Sequence, residues 1–149
     1  MAVKAIPDGF HTVTPYLCVE GVAELIEFMK KAFDAVEIER HPGPGGRIMH
    51  AQVRVGTSMI MMGEPTPQFG AIPASMYLYV PNVDEVHKEA VAAGATSVME
   101  VGNQFYGDRS GGVKDKHGNY WWVATHIEDV APDEMARRAE AAMKGQASA

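Results

Sequence analysis

The strongest constraint on how this chain folds is that it repeats itself. YLCVEGVAEL, from Tyr16, lies over YLYVPNVDEV, from Tyr77, an offset of 61 residues. Further on, Gly56 falls on Gly118 and Glu64 on His126, at an offset of 62. A repeat of this length is one supersecondary unit that cannot bury its own apolar face, so the two copies must pack on each other.

Each copy carries the same order of patterns. In the first, TVTPYLCV alternates like a half-buried strand, and VAELIEFMKKAF places Val22, Leu25, Ile26, Met29 and Phe33 at helical spacing. VEIER, IMHAQVRV and SMIMMG read as three strands, parted by PGPGG and by Gly56-Thr57. In the second, SMYLYV is a strand. Asn82 caps a helix from Val83 to about Ala93, with Glu85 at its third position and Gly94 as its stop. TSVMEV, RSGGVKD and YWWVATH complete the unit. The expected architecture is an α+β fold of two βαβββ modules in one domain over 1–149. Module 1 covers about 12–64, a Pro/Gly linker about 65–74 and module 2 about 75–126. A helix over about 132–144 begins on Pro132, Asp133 and Glu134 and carries the stripe Met135, Ala139, Ala142 and Met143, for packing on the domain or on a second subunit.

Charge narrows the partners. With 13 Lys+Arg against 19 Asp+Glu, net −6, the chain lacks the basic footprint that nucleic acid or an anionic membrane requires. A small molecule or a protein fits better. Cys18 stands alone, MAVKAIPDGF lacks the apolar stretch of a secretory signal, and no apolar run reaches bilayer length. A cytoplasmic protein is expected.

Two βαβββ modules closed by a DxxGNxxx strand resemble the vicinal oxygen chelate superfamily, that of glyoxalase, bleomycin resistance and dioxygenase proteins. FYGDRSGGVKDKHGNYWWVATH and GRIMHAQVRVGTSMIMMGE are similar to its glyoxalase-like branch related to the phosphonate-operon protein, also filed as demethylubiquinone methyltransferase-like. The resemblance implies a half-open eight-stranded barrel around a cup, a homodimer, and, in the metal enzymes, four His or Glu ligands from the first and last strand of each module. Here those positions match Thr14, Ile60, Ser75 and Trp122. None is a ligand of the kind a divalent ion needs, so no metal and no other cofactor are expected.

Alternation of side chains along a strand then sets which residues face the cup. Thr12, Thr14, Tyr16 and Cys18 turn inward, as do Ser75, Tyr77 and Tyr79; Leu17, Val19, Met76 and Leu78 turn to the helices. His50, Gln52 and Arg54 oppose an apolar face of Met49, Ala51, Val53 and Val55. Ile60, Met62 and Glu64 face inward from one last strand, and Tyr120, Trp122 and His126 from the other, leaving Trp121 and Val123 in the core. The expected ligand-binding set is Tyr16, Gln52, Met62, Tyr77, Tyr79, Arg109, Tyr120 and Trp122, for a small aromatic or amphipathic molecule. For Arg109 a structural pair with Asp108 is the favoured expectation over a clamp on a ligand's carboxylate or phosphate. A second reading makes the chain a lyase or isomerase using His50, Glu64 and His126, with or without a displaced metal. A third is a non-catalytic interaction module whose cup is filled by its own side chains. His11, His41, His87 and His117 are expected to be solvated.

Overall fold

The computed structural model describes residues 2–147. Module 1 runs β1 (Tyr16–Cys18), α1 (Val22–Phe33), β2 (Val36–Pro42), β3 (Ile48–Val55) and β4 (Ser58–Gly63). Module 2 repeats it as β5 (Ser75–Tyr79), α2 (Val83–Ala92), β6 (Thr96–Asn103), β7 (Asp108–Lys114) and β8 (Tyr120–His126). A helix, α3 (Pro132–Ala147), follows. The strands make two four-stranded sheets, in the orders β1-β4-β3-β2 and β5-β8-β7-β6. In each, the first strand pairs parallel with the last, and the other pairs are antiparallel.

The helices form where the apolar spacing demands. α1 buries Val22, Leu25, Ile26, Phe28, Met29, Ala32 and Phe33, and ends on Asp34, which takes the left-handed conformation (φ 54°). α2 starts on Asn82, whose side chain accepts from the Glu85 N–H at 3.2 Å. One buried cluster joins the modules, from Leu17, Ile26 and Val53 to Val83, Val113 and Trp121. At its centre the Phe33 and Trp121 rings lie 4.9 Å apart. α3 is tied on through Arg138, which donates to the Phe105 carbonyl and to the carboxylates of Glu128 and Glu134. Among the described residues no helix is long and apolar enough to cross a membrane.

The two modules match in register more closely than their sequences suggest. Tyr16 pairs with Met61 and Tyr77 with Trp122, so the offset of 61 persists into the last strand. Between β3 and β7 it is 60, since Gln52 pairs with Met61 and Gly112 with Trp122. The hairpin tip supplies the difference. The Arg54–Met59 pair of the first hairpin matches the Lys114–Tyr120 pair of the second, and the second has one residue more between its partners.

That single residue corrects the expected facing of β4. An offset of 62 carried past Gly56 and Gly118 sets the strand one residue out, and a one-residue slip turns every side chain over. Met62 and Ile60 pair beside Ala51 and Val53 and are 0% and 3% exposed, in the core beneath α1. Met61 is the residue that shares a face with Tyr16 and Gln52. Met62 therefore does not line the cup. β1 is also shorter than expected: Thr12, Val13 and Thr14 precede it, and Val13 is 82% exposed. Met49, at 38%, is likewise outside the core. Two histidines expected in solvent are engaged. His87 is buried against the Ser97 hydroxyl, and His117 Nδ1 donates to the Glu20 carbonyl at 2.7 Å.

The assignment gives a stability test. Met62→Ala removes a fully buried side chain and is expected to cost about 2–5 kcal/mol, whereas Met61→Ala costs about 1 kcal/mol or less, both read from urea unfolding.

Candidate functional site on the uncovered face

The face of each sheet turned away from the helices carries the polar and aromatic residues. On module 2 the centre is Trp122. Its indole lies over Gly112, where a Cβ would sit 2.5 Å from two ring carbons, so only glycine there leaves room for the ring. Nε1 donates to the Ser75 hydroxyl at 2.9 Å. The Tyr120 ring stacks alongside at 6.0 Å and 15°, with the Lys114 ammonium 5.5 Å from its centroid. These residues make a flat shelf.

Next to it runs a charged network. Asp108, 3% exposed, accepts from the Tyr77 hydroxyl at 2.7 Å, from the Tyr79 hydroxyl at 3.0 Å and from His126 Nδ1 at 2.8 Å. His126 Nε2 donates to Asp129 at 2.8 Å. Burial acts to raise the Asp108 carboxyl, but the bonds from His126, Tyr77 and Tyr79 outweigh it and hold it below its ordinary value. Asp108 first, then Asp129, raises His126 above its ordinary value, which favours the imidazolium, the form that can donate from both nitrogens. Burial and the Asp108 bond push the Tyr77 hydroxyl far above its usual value, and Asp108 raises Tyr79 too. Both phenols stay protonated donors.

Module 1 presents a looser cluster. The Tyr16 hydroxyl lies 3.4 Å from His50 Nδ1, and Gln52 Nε2 lies 3.3 Å from His50 Nε2. Opposite, β2 brings His41 to a ring distance of 6.0 Å from His50, with Glu39 3.3 Å from His41.

Several expected site residues are placed elsewhere. Both oxygens of Glu64 accept backbone N–H groups, from Gly21 at 3.1 Å and from Ile48 at 2.5 Å. Glu64 thus clips the start of α1 to β3. Its counterpart in register is Thr125, whose hydroxyl accepts from the Val83 N–H at 3.0 Å at the start of α2, and not His126. Arg109 pairs with Asp84 through Nε and Nη2 at 2.8 and 2.7 Å, not with Asp108. Asp108, Asp129, Glu39 and His41 were not expected at the site. Folding RSGGVKD back on YWWVATH about DKHGN would have set Asp108 opposite His126, the pairing found.

The four positions that the resemblance matches to metal ligands fall, once the register moves Ile60 to Met61, on Thr14, Met61, Ser75 and Trp122. This set does not fit a divalent ion: one member is an indole bonded to another, and the third is a thioether. Among the described residues no group of three His, Cys, Asp or Glu could hold one, so His50, Glu64 and His126 do not assemble a displaced site.

This two-module architecture is that of a protein class with known members. The chain belongs to the Glyoxalase/Bleomycin resistance protein/Dioxygenase superfamily, whose family model matches residues 9–123. Among its relatives, the uncharacterized protein Mb0911c of Mycobacterium bovis is 35% identical over 98% of both chains. The uncharacterized protein Rv0887c of Mycobacterium tuberculosis is 35% identical over 98% of this chain and 88% of its own length. Similar folds include TioX from Micromonospora sp. ML1 (TM-score 0.67, 22% identity, 78% of this chain and 99% of that one). Another is a PhnB protein from Bacillus cereus (TM-score 0.63, 21% identity, 77% and 99%).

His126 provides the pH test. A raised folded value means that its contribution to stability is complete below about pH 6.5 and is lost as the pH rises through that raised value. The NMR titration of its ring is expected to have a midpoint above 6.5, falling in Asp108→Asn. A wild-type midpoint at or below 6.5 would contradict the network.

Proposed function

We propose that this chain binds a small planar aromatic or amphipathic molecule in the cup, on the uncovered face, without a metal at the four superfamily positions. The observation that carries the reading is the Tyr120–Trp122 shelf, held against glycine and flanked by a charged donor. Flat rings supply contact area at little entropic cost, and the neighbouring imidazolium and ammonium orient a ligand acceptor or anion. Asp129, fully exposed, is the group such an acceptor would replace on His126 Nε2. Tyr16, Tyr77 and Tyr79 are 50%, 45% and 65% exposed, which favours an open cup over one filled by its own side chains. Gln52 joins the ligand-facing set beside His50.

The protein works in this reading as a cytoplasmic homodimer, with a second copy covering part of this exposed aromatic surface. By motif the chain is assigned here to the phosphonate-operon branch of the superfamily, in keeping with its likeness to the PhnB protein. A lyase or isomerase reading draws on one observation, the His126–Asp108 pair, in which a buried carboxylate orients an imidazole. When protonated, His126 would act as an acid toward a carbonyl or enolate oxygen; His50, with Tyr16 beside it, is a second proton carrier on this face.

Binding is tested by titrating the chain with 1-naphthoate and other planar aromatic acids and reading the part of the indole quenching that Trp122→Phe removes. Saturable quenching at one site per chain is expected, weakened about tenfold by Gly112→Ala, which displaces the ring. Absence of saturable quenching by every member of the panel, or a stoichiometric metal retained by untagged protein, would contradict this reading.

A further inference from the structure

The near-symmetry of the two modules generates two seams, and they are not alike. In one, the tip of the β7–β8 hairpin, with Lys116 and His117, lies against the outer side of α1, beside Ala93 and Gly94 at the end of α2; a hollow of about 430 Å³ remains. In the other, the β3–β4 tip, with Gly56 and Thr57, and the end of α1 face α2 and β5, leaving a cleft of about 700 Å³. The difference follows from the one extra residue of the second hairpin. His117 reaches across its seam, donates to Glu20, and packs so tightly that a Cβ on Gly21 would lie 2.9 Å from the ring. The shorter tip sends no such plug toward Pro81 and Asn82, the counterparts of Glu20 and Gly21.

The larger cleft follows the free edge of β5. Met76, Tyr77, Leu78 and Tyr79, residues of both faces, all line it, and β5 has a neighbour on one side alone. Phe33, Val36, Ile60 and Val86 add to its apolar wall. Arg54, itself exposed, stands at the same wall. Arg40, Arg47, Arg109, Arg137 and Arg138 each form a salt bridge; Arg54 has none among the described residues. In a chain with 19 acids to 13 bases, an arginine left without an acid is the less expected outcome. Asp34 and Glu89 also line the cleft, both exposed. Unpaired acids carry less information in so acidic a chain, but these two lower the affinity of any anion held there.

We infer that this seam is a second ligand site, separate from the Trp122 shelf, taking a small amphipathic anion whose apolar body lies along β5 and whose carboxylate is held by Arg54. A guanidinium in a largely apolar wall binds a carboxylate through charge-assisted hydrogen bonds, and the tail removes apolar surface from water. Tyr77 and Tyr79 are the residues the cleft shares with the face described above.

The test is calorimetric titration of the full chain with octanoate, octylamine and octanol, which share one tail. Octanoate is expected to bind saturably at one site per chain, more tightly than the other two. Arg54→Gln should weaken it about tenfold or more, Glu89→Gln and Asp34→Asn should tighten it about two- to threefold, and Val36→Trp, which fills the cleft, should abolish it. Trp122→Ala should leave it unchanged, so that failure of the shelf reading and failure of this one are told apart. No saturable octanoate binding, binding indifferent to Arg54→Gln, preference for octylamine or octanol, or loss of binding in Trp122→Ala would each overturn the assignment.

Discussion

The arrangement rests on how Asp115 holds the end of the second hairpin. This buried carboxylate accepts from Trp121 Nε1 at 2.8 Å, from the N–H and side-chain amide of Asn119 at 3.0 and 2.9 Å, and from the His117 N–H at 2.8 Å. A buried charge is tolerated when its lone pairs are filled, and removing any donor leaves a costly deficit. The consequences run outward. The hairpin length is set, Trp121 is drawn into the shared core against Phe33, and its neighbour Trp122 is thereby committed to the opposite face.

Duplication supplies the frame and its small departures supply the chemistry. Glu64 and Thr125 occupy matched places and do matched work, each accepting an N–H at the start of its own module's helix. Gln52 and Gly112 are also matched, yet one places an amide beside His50 and the other makes a bed for an indole. One added residue at a hairpin tip closes one seam with His117 and leaves its twin open beside Arg54. Interiors as tightly packed as this core leave little tolerance for such changes, which explains why they collect on the uncovered face and at the seams.

Much of the fold was legible because its signals are local. The apolar period of VAELIEFMKKAF and the alternation of IMHAQVRV and YWWVATH delimit α1, β3 and β8 as found, and the Asn82 cap is where the composition places it. Splitting the two tryptophans between faces needed nothing beyond the two-residue period of a strand. The site was less legible because it depends on register across the sheet. Met62 and Glu64 were misjudged through one residue of turn length, a quantity that the glycines at Gly56 and Gly118 mark imprecisely. Arg109 found Asp84, 25 positions away on a helix, over its sequence neighbour. Asp108, the centre of the charged network, gives no signal until β7 is folded onto β8.

The central claim, that the two adjacent indoles lie on opposite sides of one sheet, is tested most directly by acrylamide quenching of the paired variants Trp121→Phe and Trp122→Phe. Trp122 alone should be quenched readily, and Trp121 alone should resist the quencher and emit at shorter wavelength. Equal accessibility of the two, or a protected Trp122 beside an accessible Trp121, would contradict the account.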